Sequence, residues 1–363
     1  MLVRRIELTS FRNYREASFE LTSGITAVVG DNGQGKTNVV EALAYLATLE
    51  SFRGAPLEAL VRMGDAQAIV RAEVVHPDGR EILIEAEINQ TGKNRVLVNK
   101  QRLQRSRDLL GLLRVTVFSP DDLELVKGGP GERRRFLDAL LVALQPRNDA
   151  LRSDLERILR QRNTLLKQAG GRLTDEIAFT LDVWDHKLAE VGEALGNARA
   201  RLVERLAPLV AEAYGELAGA TGATSLSYDP AWRRSGLAAA LAVARTDEVR
   251  RGISLVGPHR DELDLGVNTL PARTHASQGE QRTLALAMRL AAHRLVHDRT
   301  GLAPVLVLDD VLSELDDHRS TALLHSLPPG QILITSASAL PEAATPDRVL
   351  RIEAGTVAGD DRA

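Results

Sequence analysis

The feature that most constrains the fold is a glycine-rich segment that lies between an apolar run and an amphipathic run. Residues 30–37 read Gly-Asp-Asn-Gly-Gln-Gly-Lys-Thr, which matches the pattern G-x-x-x-x-G-K-[ST]. The run Ile25–Val29 predicts a strand before this loop, and Asn38–Leu49 predicts a helix after it. In such a unit, backbone N–H groups surround phosphate oxygens and the helix N-terminus adds partial positive charge. Lys36 is then expected to reach the β- and γ-phosphates, and Thr37 to bind Mg²⁺.

A second feature is the apolar run Val305–Leu308, which ends in Asp309 and Asp310. An entirely apolar strand is typical of a parallel sheet that is covered on both faces. Two adjacent carboxylates repel each other unless a cation or a proton lies beside them. We therefore expect Asp309 to bind Mg²⁺ and Asp310 to orient or deprotonate an attacking water. The alternative is an acid pair that caps a helix near residues 312–315.

The segment Ser277-Gln278-Gly279-Glu280-Gln281 has two interpretations. Locally it predicts a capping box, with Ser277 as the N-cap and Glu280 three residues later. The same segment resembles the signature of ABC ATPases, in which the serine and the helix N-terminus contact a γ-phosphate held by the other subunit. Ser313-Glu314-Leu315-Asp316 similarly resembles the D-loop at the dimer seam.

The hydrophobic pattern divides the chain into an α/β part and a helical part. Before residue 120 it predicts strands, at Ile69–Val75, Ile82–Ile88, Arg95–Asn99 and Gly111–Ser119. From about 131 to 219 it predicts helices, with a hairpin at Gly170-Gly171. Further along it predicts strands at Ser225–Tyr228 and Ile253–Val256, a helix over about 278–297, and a frayed tail after Thr356. An ATPase lobe made of residues 1–120 and 250–363 is therefore expected, with a helical lobe, 121–249, inserted between its halves.

Composition excludes several classes of function. No apolar run of about 18 residues exists, so no membrane span is predicted. The absence of cysteine excludes disulfides and thiolate metal sites, and it fits a cytoplasmic protein. With a net charge of -3, DNA could be bound only through local patches, and 3% aromatic residues argue against a base-stacking platform. The densest basic residues, which could equally form solvated faces, are Lys93, Arg95, Lys100, Arg102, Arg105, Arg107, Arg133, Arg134 and Arg135.

Longer strings resemble one family, the RecF recombination mediators, a branch of the ABC/SMC-like ATPases. The strings are Phe11-Arg12-Asn13-Tyr14-Arg15, Ser51-Phe52-Arg53, residues 118–123, residues 127–138 and Gly257-Pro258-His259-Arg260-Asp261-Glu262-Leu263. About 270 residues separate the phosphate loop from the carboxylate strand, more than in transporter ATPases. The insertion is too short and too often interrupted by glycine for a long coiled coil, so a stub is expected. The fold class implied is α/β: an ABC-type ATPase head with an antiparallel β subdomain and a helical insertion lobe.

The resemblance implies a function in DNA repair, recombination, replication and the SOS response. A weak, DNA-dependent ATPase is expected, which dimerises on ATP at gapped or duplex–single-strand junction DNA and helps to load RecA with RecO and RecR. The implied contacts to ATP and Mg²⁺ are Gly30, Asp31, Asn32, Gly33, Gln34, Gly35, Lys36, Thr37, Asn38, Arg12, Asn13, Ser277, Gly279, Glu280, Asp309 and Asp310.

Two departures from the wider ABC pattern predict slow hydrolysis. Asp310 stands where transporter heads carry a glutamate, and Ile332–Ile334 continues into Thr335-Ser336 without a switch histidine. His259 is the histidine of interest, although a role in the core or in a loop is as well supported. Two other classes remain as alternatives. One is the nucleotide-binding subunit of a transporter, which the long insertion disfavours, and the other is a P-loop kinase, which would not require residues 277–281.

Overall fold

The computed structural model describes residues 1–219 and 223–362. Within these residues, extended segments occur along most of the chain. The strands are β1 Leu2–Phe11, β2 Tyr14–Glu20, β3 Ile25–Val29, β4 Gln67–Val75, β5 Glu81–Asn89, β6 Arg95–Val98, β7 Gln101–Arg102, β8 Val115–Phe118, β9 Thr224–Ser227, β10 Asp264–Val267, β11 Leu270–Pro271, β12 Val305–Asp309, β13 Ile332–Ser336, β14 Arg348–Glu353 and β15 Thr356–Arg362.

The helices of the described residues are concentrated in the middle of the chain. They are α1 Lys36–Thr48, α2 Glu124–Lys127, α3 Pro130–Leu144, α4 Asp149–Ala169, α5 Asp175–Ala218, α6 Leu237–Arg251, α7 Ala272–His275, α8 Gln278–Thr300 and α9 Asp317–Ser326.

The chain forms two compact units, which we describe separately. The first contains Met1–Leu123, Glu212–Gly222 and Arg282–Ala363, and the second contains Glu124–Ala211 and Ala223–Gln281. The second unit therefore reaches further along the chain than the insertion expected from the sequence. Residues near 254 belong with it because Ser254 hydrogen-bonds with Arg162 and Asn163 of α4. In the described residues, no helix is long and apolar enough to cross a membrane.

A mostly parallel sheet places the candidate site in the first unit. Its strand order is β15-β14-β3-β13-β12-β8, and only β15 runs antiparallel to its neighbour. Asp309 at the end of β12 is paired with Thr335 of β13, and Ser336 of β13 is paired with Val29 of β3. The carboxyl ends of three strands, and the polar residues that follow them, therefore meet at one edge of the sheet.

The second sheet of this unit is antiparallel, with the strand order β2-β1-β4-β5-β6-β7. Helix α1 contacts β1, β4 and β5 of this sheet and β8, β12 and β13 of the parallel sheet. A helix covered from both sides is mostly apolar around its circumference, and Val39–Ala47 are all buried, with Glu41 as the one charged residue among them. Helix α1, which follows the phosphate loop, is therefore part of the hydrophobic core between the two sheets.

The second unit contains α3, α4, α6, most of α5 and the small sheet β11-β10-β9. Helix α5 runs for 44 residues through Pro208 and three glycines. The expectation that glycine interrupts the insertion is therefore wrong for α5. A Cβ at Gly192 would lie 2.3 Å from Leu237, and one at Gly196 would lie 2.5 Å from Trp232. These glycines allow neighbouring side chains to approach the helix closely, and they do not end it.

Two further local predictions are wrong. The run Ile253–Val256 is a loop because buried Ser254 is held by side chains of α4 instead of by a neighbouring strand. The tail after Thr356 is the strand β15, which is paired with β14 and held by an ion pair between Arg348 and Asp360. A polar edge strand lacks the apolar alternation on which a strand prediction depends.

Candidate nucleotide site

The phosphate loop has a backbone that only glycine can adopt at two of its positions. Gly30 has φ +155°, and a Cβ there would lie 2.4 Å from the carbonyl oxygen of Ile352. Gly35 has φ +118°, and a Cβ there would lie 2.6 Å from the side chain of Asn13. The loop is therefore tightly enclosed by its neighbours on the side of Ile352 and Asn13.

Lys36 is buried and its ammonium group faces the inside of the loop. Its Nζ donates to the carbonyl oxygens of Gly30 at 2.8 Å and Asp31 at 2.9 Å. Two carbonyl contacts leave one of the three ammonium donors for a phosphate oxygen. The positive charge thus lies where a phosphate held by the loop would need it.

Thr37 and Asp309 are brought together from positions 272 residues apart. The hydroxyl of Thr37 donates to Oδ1 of Asp309 at 3.1 Å, and the hydroxyl of Thr335 donates to the same oxygen at 2.7 Å. Burial raises the pKa of the Asp309 carboxyl above its ordinary value, and Asp310 adds to this, while the two hydroxyls and Arg53 oppose it. A bound cation would favour the ionised carboxylate, so this pair fits the chemistry of Mg²⁺.

Asp310 has an unusual backbone conformation, with φ +54°. Its N–H donates to the hydroxyl of Thr335 at 3.0 Å, and Ser313 donates to its carbonyl oxygen at 2.8 Å. Left-handed backbone costs about 1–2 kcal/mol for most residues, and such strain is concentrated at functional sites. The short 3-10 helix Leu312–Glu314 has Val311 as its N-cap, and no side chain of the described residues caps it. The alternative that Asp309 and Asp310 cap a helix near residues 312–315 is therefore wrong.

Two predicted nucleotide contacts, Asn13 and Asn38, lie beside the loop. Asn13 donates to the carbonyl oxygen of Gln34 at 2.8 Å and accepts from the side chain of Asn38 at 2.8 Å. Arg12 instead forms a two-point ion pair with buried Glu41 at 2.7 Å, and it also donates to the carbonyl of Ala59. In this conformation its guanidinium is occupied by the protein.

Arg53 is a candidate that residue-level reasoning missed. Its positive charge opposes the rise in the Asp309 pKa, which indicates that it lies near the carboxylate. The preceding Ser51 donates to Glu41 at 2.5 Å, the same carboxylate that binds Arg12. The string Ser51-Phe52-Arg53 was conspicuous in the sequence, but nothing local related it to a position 256 residues further on.

In the second unit, residues 277–281 form the predicted capping box. The N–H and hydroxyl of Ser277 both donate to Glu280 at 2.8 Å, and the N–H of Glu280 donates back to the hydroxyl at 3.3 Å. Ser277 is exposed at the start of α8. The local role is thus satisfied within one chain, while the serine remains accessible to another molecule.

The basic residues of 93–107 are exposed on the antiparallel sheet and the segment that follows it. Lys100 lies in the turn between β6 and β7, and Arg95 forms an ion pair with Glu87 at 3.5 Å. The exposed members of this set are Lys93, Arg95, Lys100, Arg102, Arg105 and Arg107.

The three arginines of α3 are in different environments. Arg133 is buried, pairs with Glu262 at 2.6 and 2.9 Å and donates to three backbone carbonyls. It therefore has a structural role, and its burial contradicts the prediction that it contacts DNA. Arg134 is half-buried and donates to the carbonyl of Asp261, and burial lowers its pKa. Arg135 is exposed and pairs with Glu132.

His259 lies in the second unit and is largely enclosed. One ring nitrogen, Nε2, is 3.2 Å from the carbonyl oxygen of Ser254, while Nδ1 is buried without a partner among the described residues. Burial lowers its pKa from 6.5 to about 4. The neutral ring therefore donates from Nε2, which supports the structural interpretation of this histidine.

Similarity to known families and proteins identifies the family of this chain. Residues 2–354 match the family described as RecF/RecN/SMC N terminal domain. The protein named DNA replication and repair protein RecF from Streptomyces avermitilis is 48% identical over 353 residues, covering 93% of this chain and 94% of that protein. The protein of the same name from Cutibacterium acnes is 42% identical over 367 residues, covering 93% of each. The chain belongs to the RecF family.

Solved structures agree with this assignment to the RecF family. A structure of the recombination mediator protein RecF with ATP, from work on the RecFOR pathway, has a TM-score of 0.90 at 30% identity, covering 99% of this chain and 97% of that one. An SMC head bound to the C-terminal winged-helix domain of ScpA has a TM-score of 0.61 at 16% identity and shows the fold alone. The predicted fold class, an α/β ABC-type ATPase head, is confirmed.

Proposed function

We propose that this RecF-family chain is an ATP-dependent DNA-binding protein of recombinational repair that hydrolyses ATP slowly. The observation that carries the proposal is the contact between Thr37 and Asp309, which joins the phosphate loop to the carboxylate strand. A buried aspartate beside a phosphate loop, whose pKa is raised by that burial, is typical of a functional site. The relatives named as DNA replication and repair proteins supply the DNA part of the proposal.

The residues present fit Mg²⁺ and ATP. Thr37 and Asp309 would hold the ion directly or through water, as is usual for Mg²⁺ bound with substrate phosphates. When bound, Mg²⁺ supplies positive charge to the β- and γ-phosphate oxygens. Lys36 would keep its contacts to the carbonyls of Gly30 and Asp31 and donate its third ammonium hydrogen to a phosphate oxygen. The loop N–H groups would complete the cradle.

Asp310 is proposed to orient the attacking water. Hydrogen bonds with Thr335 and Ser313 fix its backbone and hold its carboxylate beside Asp309. Because Thr37 and Asp309 would hold the metal, the carboxylate of Asp310 would be available to a water molecule. An aspartate is one methylene shorter than the glutamate found in transporter heads, and the strand that ends at Ser336 provides no histidine. These differences favour slow turnover, so that ATP would control a binding state.

A second copy of the chain is proposed to close the site. Ser277 is exposed at a helix N-terminus, where partial positive charge favours an anion. If Ser277 of each copy contacts the γ-phosphate held by the other, the result is a two-fold dimer with two ATP molecules in the seam. ATP would then favour the dimer because it binds the closed state more tightly.

The proposed substrate of the dimer is DNA with gaps or duplex–single-strand junctions. By family resemblance, the proposed partners are RecO and RecR, which act with the dimer to load RecA. The exposed residues Lys93, Arg95, Lys100 and Arg102 are the proposed phosphate contacts of the first unit. Arg135 is the exposed arginine of α3. The alternatives of a transporter subunit or a metabolite kinase are disfavoured by the match to a RecF protein over 93% of the chain.

The test of the dimer is Ser277→Arg. This change should leave ATP binding intact but keep the protein monomeric in sedimentation with ATP, because bulk and positive charge are placed at the seam. Thr174→Arg is the matched control, since Thr174 also caps a helix of the second unit, through the N–H of Ile177. Both changes lose a cap, which costs about 1 kcal/mol. If Ser277→Arg dimerises normally in the presence of ATP and gapped DNA, the proposed contact across the dimer is wrong and residues 277–281 only cap a helix.

The test of catalysis is Asp310→Asn. Hydrolysis should slow by about 10²-fold or more, as is usual when a general base is lost, while ATP affinity and dimerisation persist. Asp317→Asn, an exposed acid in the first turn of α9, should have no effect on the rate. Unchanged turnover by Asp310→Asn would remove this residue from the mechanism.

A further inference from the structure

The turn between β14 and β15 touches the phosphate loop, although it lies more than 300 residues further along the chain. The N–H of Ala354 donates to the side-chain Oε1 of Gln34 at 2.5 Å. The N–H of Gly355 donates to the backbone carbonyl of Gln34 at 3.2 Å. One residue of the loop is therefore held by two consecutive N–H groups of this turn.

The geometry of the turn depends on its two central residues. Ala354 has φ +46° and Gly355 has φ +74°, as in the two-residue turns that join twisted antiparallel strands. A Cβ at Gly355 would lie 2.8 Å from the backbone oxygen of Asn13. The turn is therefore packed against the β1–β2 turn as well as against the loop, with no room for a side chain at residue 355.

The carbonyl of Gln34 also accepts from the side chain of Asn13 at 2.8 Å. Both donors lie outside the loop, so this carbonyl is directed away from the loop interior. Because a trans peptide is planar, the N–H of Gly35 points in the opposite direction from the carbonyl of Gln34. Anchoring this carbonyl therefore aims the Gly35 N–H at the interior, where phosphate oxygens are bound in loops of this kind.

We propose that the β14–β15 turn, through the N–H groups of Ala354 and Gly355, is a positioning element of the nucleotide site, which preorganises the Gly35 N–H for the phosphates. Ala354 and Gly355 touch no phosphate themselves; they act through Gln34. The inference rests on the proposed function, because it requires that the phosphate loop binds a nucleotide. It adds a role for the C-terminal hairpin, which none of the sequence motifs includes.

The test is Gly355→Ala, with Gly79→Ala as the matched control. Gly79 also has a positive φ, +81°, in a tight turn, but a Cβ there would meet no atom within 4 Å. Both variants therefore carry the same backbone penalty, and only Gly355→Ala displaces the turn from Asn13 and Gln34. Thermal unfolding of both variants without nucleotide would verify that they are folded.

Binding of ATP, ADP and inorganic pyrophosphate would be measured by calorimetry. Gly355→Ala should weaken all three about tenfold, the scale of a hydrogen bond to a charged group, because the fault lies in the phosphate cradle. In the parent protein, the amide signal of Gly35 should move downfield in nuclear magnetic resonance spectra on addition of pyrophosphate, and in Gly355→Ala this movement should shrink. Gly79→Ala should match the parent in both measurements.

Equal affinities of Gly355→Ala and the parent would overturn the positioning role and leave the proposed function intact. Equal weakening of Gly355→Ala and Gly79→Ala would also overturn it, since general backbone strain would then be the cause. Failure of the parent protein to bind ATP would instead reject the proposed function on which the inference rests.

Discussion

The basic segments 93–107 and 133–135 have a similar density of arginine and lysine but opposite environments. In the first, the six cationic side chains are exposed, and Arg95 has a single ion-pair partner at 3.5 Å. In the second, the side chain of Arg133 is 5% exposed and pairs with Glu262, while Arg135 is 70% exposed. Positive charge in a sequence therefore does not distinguish an exposed surface from a buried structural pair.

The difference arises from what each segment packs against. Residues 93–107 lie at an edge of the antiparallel sheet, where β6 and β7 are its last strands. Arg133 lies on the buried face of α3, opposite residues of the string 257–263. In the same string, Asp261 accepts from Tyr228 and Trp232. Two strings that identify the family thus contact each other and stabilise the second unit.

The largest expected effect is the difference in free energy of unfolding between a variant of buried Arg133 and a variant of exposed Arg135. Arg133→Ala should lower the free energy of unfolding by about 3 kcal/mol or more, because it removes the cation paired with Glu262 and the donor to three carbonyls. Arg135→Ala, two residues away on the same helix, should change it by less than about 0.5 kcal/mol. Urea unfolding of both variants measures this, and a small loss for Arg133→Ala would contradict the structural role.

An intermediate effect concerns the dependence of stability on pH and His259 of the string 257–263. The folded pKa of His259 is about 4, below its ordinary 6.5, because burial disfavours the charged ring. His259 therefore binds a proton more tightly in the unfolded chain than in the folded one. The stability that comes from keeping this ring neutral is complete above pH 6.5 and is lost as pH falls toward 4. The loss should reach about 3 kcal/mol.

The measurement is urea unfolding of His259→Gln across this pH range, with the exposed His275→Gln as control. The dependence of stability on pH should become shallower for His259→Gln only. The remaining slope has another source in the first unit, since burial also lowers the pKa of His293 to about 4. An unaltered slope in His259→Gln would show that the ring is hydrated in solution.

The smallest effect on stability is expected in the exposed segment. Lys100→Gln with Arg102→Gln should alter the free energy of unfolding by less than about 0.5 kcal/mol. If both side chains contact duplex phosphates, the slope of the logarithm of the DNA-binding constant against the logarithm of salt concentration should decrease in magnitude by about 1.8, or about 0.9 for each contact. Arg172→Gln, an exposed arginine at the α4–α5 hairpin, is the control. An unchanged slope in the double variant would show that these residues are only a solvated face.

Much of the nucleotide site could be predicted because each of its parts is local in sequence. The strand Ile25–Val29 has the predicted bounds, and the loop and helix follow it directly. The capping box depends on two residues three positions apart. Apolar periodicity and short-range hydrogen bonds operate over a few residues, so their pattern is visible before the chain folds.

Tertiary structure alone decided the contacts that join distant segments. Arg133 and Glu262 are 129 residues apart, and Gln34 and Ala354 are 320 apart. Arg12 was predicted to contact the nucleotide but is paired with Glu41. No local pattern specifies which side of a helix or sheet faces which partner, because burial and pairing depend on the packing of whole elements. The sequence by itself therefore determined the chemistry of the loop and the carboxylate strand, and the fold decided which basic side chains are exposed and which are buried in ion pairs.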